Sequence, residues 1–145
     1  MNDNEKILSI INRGRLIQFI VGLDELSYYY PEDGYRQWEQ LIAFYNAPST
    51  SIETKNKIKE TVVGLFQNPV RSSLSTAKSS IVAAMVLSRM MNFDEIKDKM
   101  IVAVKNGNVE FWDEYMKREL LDTVLHFQIS ELKEFTQKHL KSKKL

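Results

Sequence analysis

Apolar residues recur every three or four positions through most of this chain, and no stretch alternates apolar with polar for long enough to make a half-buried strand. That periodicity restricts the fold to packed α-helices. Residues 5–21 place Leu8, Ile11, Leu16, Phe19 and Ile20 near one side of a first helix, with Ile7, Ile10 and Ile17 widening the stripe and Asn2 or Asp3 as its cap. Arg13-Gly14-Arg15 interrupts this pattern, and because glycine costs ~1 kcal/mol against alanine inside a helix, a kink or a close helix approach is expected there.

A second helix is expected to begin at residues 31–35, where Pro31 suits a first turn and Glu32 and Asp33 suit the positive end of the helix dipole. Tyr35, Trp38, Ile42 and Tyr45, with Leu41 and Phe44, give it an aromatic inner face, and Ala47-Pro48-Ser49 ends it. Thr50-Ser51-Ile52-Glu53 matches the capping-box pattern, which predicts a third helix over 51–66 with Ile58, Val62, Leu65 and Phe66 inward. After Asn68-Pro69 and a Ser-rich turn, residues 75–91 are apolar around most of their circumference and form the expected central helix. Asn92-Phe93-Asp94-Glu95 caps a shorter helix to about 105, and Asn106-Gly107-Asn108 reads as a left-handed stop followed by a new cap. A long helix then carries Phe111, Trp112, Tyr115, Met116, Leu120, Val124 and Phe127, and a last amphipathic segment with Leu132, Phe135 and Leu140 frays into a basic tail from about 139. The expectation is an all-α, irregular bundle of six or seven helices forming a single domain over 1–145.

Composition supports a self-sufficient core: 43% of residues are hydrophobic and 27% charged, with five glycines and three prolines. A chain without cysteine has no disulfides and no thiolate chemistry, and the N-terminus lacks a basic and apolar leader. With no run approaching the ~18 apolar residues of a membrane span, the expected setting is cytoplasmic, without membrane contact.

The chain carries few groupings that suit catalysis or metal binding. Two histidines, His126 and His139, stand without adjoining ligands, so no metal or other cofactor is expected. The glycines are scattered singly, which does not suit a phosphate loop. Arg71-Ser72-Ser73-Leu74-Ser75 has no nucleophile-elbow pattern and reads as a helix entry. Glu110, Asp113 and Glu114 sit where carboxylates favour a helix start, which explains them without acid–base catalysis. An enzyme is therefore not expected.

Charge is distributed unevenly although the net value is only +1. Asp24, Glu25, Glu32, Asp33, Glu39 and Glu53 face Arg36 alone in one region, whereas Lys133, Lys138, Lys141, Lys143 and Lys144 gather at the end of the chain. Nucleic acid is not the expected partner, since the lysines have little aromatic interleaving. A helical regulatory protein that binds nucleic acid through this basic end is nevertheless the alternative function, with a homo-oligomer formed through the Met-rich helix around Met85, Met90 and Met91.

The segment from Asp24 to Tyr35 packs four tyrosines and four carboxylates around an expected turn. Three consecutive tyrosines, Tyr28, Tyr29 and Tyr30, cannot all face one core, so at least one ring is left for solvent or for a partner. The competing reading is that these rings staple the loop to the core. Tyr29-Tyr30-Pro31-Glu32-Asp33-Gly34 resembles the Tyr-Tyr-Pro segment, followed by acidic residues and a glycine, of the small helical immunity proteins that neutralise colicin-type nucleases. The resemblance is confined to this short segment. It implies that Tyr29, Tyr30 and Asp24 would bind the basic domain of a bacterial toxin. The expected interface is Asp24, Tyr28, Tyr29, Tyr30, Glu32, Asp33 and Tyr35, and the expected function is that of a non-enzymatic inhibitor that occludes a basic toxin or nuclease.

Overall fold

The computed structural model describes residues 2–69 and 77–143; the side chains of 24–29, 77–79, 108 and 140–143 lie outside that description. Among the described residues there are eight α-helices and no strand: α1 (Asp3–Asn12), α2 (Leu16–Tyr29), α3 (Pro31–Asn46), α4 (Ile52–Gln67), α5 (Ala77–Met91), α6 (Ile96–Lys105), α7 (Glu114–Phe127) and α8 (Lys133–Lys143). Short 3-10 turns at Asn108–Phe111 and Ser130–Leu132 precede α7 and α8. The all-α fold is the one the periodicity demands.

The expected first helix is in fact two, because α1 stops at Gly14 rather than bending there. Gly14 adopts φ +70°, the Gly14 amide donates to the Ile11 carbonyl and the Arg15 amide to the Ile10 carbonyl, the paired bonds of a Schellman stop. A Cβ at Gly14 would meet no neighbour, so close packing is not its purpose; the left-handed backbone is. Helix α2 then continues to Tyr29, through residues expected to form a turn. Only Tyr30 separates it from α3, with φ −137° and ψ 75°, outside the helical region as suits the residue before Pro31.

Helix α5 is central, packing against α2, α3, α4 and α7. Ile81, Val82, Ala83, Ala84, Met85 and Leu87 are all buried on it, and burial of each large apolar side chain contributes roughly 1.5–3 kcal/mol. Of the methionines considered for a homodimer, Met85 and Met91 lie in the core and Met90 is exposed, so the three do not line one exposed face.

Three caps fall one position or more from where the sequence pattern put them. Ser51, not Thr50, caps α4: its Oγ accepts from the Thr54 amide, while the Thr50 hydroxyl donates back to the Phe44 carbonyl. Asn92 ends α5 instead of starting α6; it sits at φ +59° and the Phe93 amide donates to the Ser88 carbonyl. Helix α7 begins at Asp113, whose Oδ1 accepts from the Met116 amide at 2.9 Å, so Phe111 and Trp112 precede it. Trp112 packs edge-on to Phe66, but Phe111 projects outward. Arg89 joins α5 to α7: its guanidinium pairs with the Glu119 carboxylate at 2.9 Å and donates to the Glu119 carbonyl and to the buried Thr123 hydroxyl.

Candidate protein-binding surface

The end of α2 and the first turns of α3 place the aromatic and acidic segment at one edge of the bundle. Pro31 starts α3 because its fixed φ and missing N–H cost nothing at a first helical position. Gly34 is buried and Trp38 points into the core, so the side chains on the other flank face solvent. Tyr30 is 64% exposed and Tyr35 63% exposed, and Glu32 and Asp33 between them are exposed as well. Tyr35 thus leaves the aromatic inner face expected of α3, while Trp38, Leu41 and Phe44 keep it. Asp24, Tyr28 and Tyr29 lie on the last turns of α2, and their side chains fall outside the described residues.

Charge on this surface is partly compensated. Arg36 Nη2 lies 2.7 Å from Asp33 Oδ1, an exposed pair one helical turn apart. Glu32 and Glu39 remain exposed on the same helix and keep the edge acidic. Beside it, α1, α2 and α3 enclose a recess of about 480 Å³ with Ile7, Ile10 and Phe19 on its apolar side and Lys6, Arg36 and Gln40 at its polar side. The Gln40 amide donates to Asp3 across this recess at 3.2 Å, tying α3 to α1.

The other sequence candidates resolve into local structure. Asp113 is a helix cap, and His126 Nε2 lies 2.9 Å from Asn92 Oδ1. His139 stacks at a tilt on Phe135, and burial, with Lys117 and Lys138 nearby, holds its pKa below the usual histidine value. Helix α8 carries the backbone to Lys143 with Lys133 and Lys138 on it; Lys144 and the Ser-rich segment 71–75 lie outside the described residues. No group of three or more metal-ligating side chains occurs among the described residues. No described helix is long and apolar enough to cross a membrane.

Fold and surface together define an all-helical protein with an exposed tyrosine and carboxylate edge. No family model matches the chain, and neither a curated protein nor a solved structure matches it.

Proposed function

We propose that this chain is a non-enzymatic protein-binding module, most specifically an immunity-type inhibitor that neutralises a basic toxin or nuclease by covering its working surface. The observation that carries this reading is the exposure of Tyr30 and Tyr35 on either side of Glu32 and Asp33. A tyrosine ring offers a large contact area with few rotatable bonds, which is why such rings dominate many interfaces. Carboxylates around it steer a cationic partner and speed its approach. Binding of this kind inhibits without chemistry, since a bulky helical body docked on a catalytic cleft excludes its substrate.

Titration of the purified chain against the partner it retains on a tagged affinity column tests the proposal. The expected partner is basic and binds one to one. Tyr30→Ala with Tyr35→Ala is expected to weaken the complex at least tenfold while the helical circular dichroism is unchanged, a loss consistent with two anchors of over ~1 kcal/mol together. Affinity for every retained partner that survives this double change sinks the proposal.

A further inference from the structure

The corner between α6 and the 3-10 turn before α7 carries Asn106-Gly107, and no other asparagine of the chain is followed by glycine. An asparagine carboxamide carbon is open to attack by the backbone nitrogen of the next residue. The freedom of that nitrogen sets the rate, and glycine, with no Cβ to crowd the approach, leaves it most.

Two asparagines at helix ends show what the surroundings add. Asn92 is held on both sides: its Oδ1 lies 2.9 Å from His126 Nε2, and the amide that would attack it belongs to buried Phe93 and donates to the Ser88 carbonyl at 2.8 Å. Asn106, which ends α6 at φ −80° and ψ −3°, is exposed, and no described residue bonds its carboxamide. Gly107 follows at φ +78°, and a Cβ built on it would meet nothing within 4 Å. Its amide is restrained by a bond to the Val104 carbonyl at 3.2 Å, at a helix end, where opening costs least.

We propose that Asn106 is a site of spontaneous covalent modification in the folded chain, losing its amide to become aspartate or isoaspartate. Fraying of the last α6 bond frees the Gly107 amide and lets the Asn106 backbone rotate until that nitrogen reaches Cγ. Hydroxide removes the amide proton, the nitrogen bonds to Cγ, and the Cγ–Nδ2 bond breaks. The departing nitrogen takes a proton from water and leaves as ammonia. One water molecule then opens the cyclic imide. Cleavage of its bond to Cγ gives aspartate, and cleavage of its bond to the backbone carbonyl carbon gives isoaspartate, so that water enters, ammonia leaves and nothing is oxidised.

Either product puts a carboxylate where a neutral amide stood, which cancels the net charge of +1. The new charge lies at the C-terminal end of α6, where the helix dipole disfavours an anion. Isoaspartate also adds a methylene to the backbone, which displaces the bond from the Glu110 amide to the Gly107 carbonyl and the seat of buried Val109. The corner that leads into α7 thus loosens as the chain ages. None of the residues of the tyrosine edge takes part.

Peptide mapping by mass spectrometry tests the site on the folded full chain held for weeks in mildly alkaline buffer, beside the same chain in urea. The folded chain is expected to carry at least about tenfold more product at Asn106 than at Asn92, because only at Asn106 is the next nitrogen unhindered. The rate is expected to rise with hydroxide concentration, and isoelectric focusing to show a new band one charge more acidic. Asn106→Gln keeps an exposed neutral amide and is expected to abolish that band with the helical circular dichroism unchanged. An intact Asn106 in the folded chain overturns the proposal, whatever happens in urea. So does an equal yield at Asn92, or an acidic band that persists in Asn106→Gln.

Discussion

Arg89–Glu119 and Arg36–Asp33 are ion pairs of nearly equal length, 2.9 and 2.7 Å, set in opposite surroundings. The first keeps 20% and 16% of its side-chain surface exposed, and the second 65% and 52%. Distance alone therefore ranks them as equals, whereas solvent separates them. At Arg89 the guanidinium also serves the Glu119 carbonyl and Thr123, so few of its donors are left to water and the removal of one partner strands the rest. At Arg36 water competes for both charges and salt screens them. The inner pair fixes how α5 meets α7. The outer one leaves Asp33 in reach of whatever approaches α3.

Arg89→Ala is the substitution that tests this contrast most severely. Loss of the guanidinium leaves the Glu119 carboxylate in a largely dry site and is expected to cost about 3 kcal/mol, read from urea unfolding. Replacing Glu119 by Ala as well is expected to recover part of that loss, since no orphaned charge then remains. A cost under about 0.5 kcal/mol would place the inner pair with the outer one and break the comparison. Ser51→Ala removes a neutral hydrogen bond at an exposed helix end and is expected to cost about 1 kcal/mol, while Thr50→Ala tests only the hydroxyl that reaches back to Phe44.

Lys59–Glu95, at 2.7 Å and partly exposed, lies between the two extremes. The hydrogen bond from the Lys59 ammonium holds the Glu95 carboxyl below its ordinary value of 4.5. A depressed carboxyl stabilises the fold above its unfolded pKa, and that contribution disappears as pH falls through the folded one. Stability measured across pH 6 to 3 is therefore expected to fall less steeply in Glu95→Gln than in the parent. Equal slopes would show that Glu95 gains nothing from Lys59.

Helices with a sustained core face were legible because that face repeats at the helical period, as with Ile58, Val62, Leu65 and Phe66, whereas the split of the first helix and the run of α2 through 24–29 were not. Helix ends were less so. Gly107 was legible as a left-handed stop since glycine favours φ near its +78°, but Asn92, which suits a helix start as well as a stop, and Gln128, which signals neither, make the same turn at +59° and +52°. Gly14 showed an interruption yet not whether the chain bends or stops, which depends on the carbonyls its neighbours reach. Tyr30, Glu32, Asp33 and Tyr35 stood out by composition, and their exposure follows from Trp38 and Gly34 facing inward. The exposure of Phe111 before α7 and of Tyr115 on it was missed for a physical reason. Phe111 and Tyr115 lie near inward-facing residues in sequence, and only the cap at Asp113 decides that their rings turn away from the core.

Arg36→Ala carries the smallest stability effect and the sharpest discrimination. Unfolding free energy is expected to move by less than about 0.5 kcal/mol, as for other exposed pairs one turn apart. The same change releases Asp33 from its cation and makes the α3 edge more acidic, so a basic partner held by that edge is expected to associate about two- to fivefold faster at low salt. Stopped-flow measurements in low and high salt separate steering from contact, because the gain must vanish as the Debye length shrinks. A slower association at low salt would mean that Arg36 itself meets the partner, and the surface would then be read by its guanidinium rather than by its carboxylates.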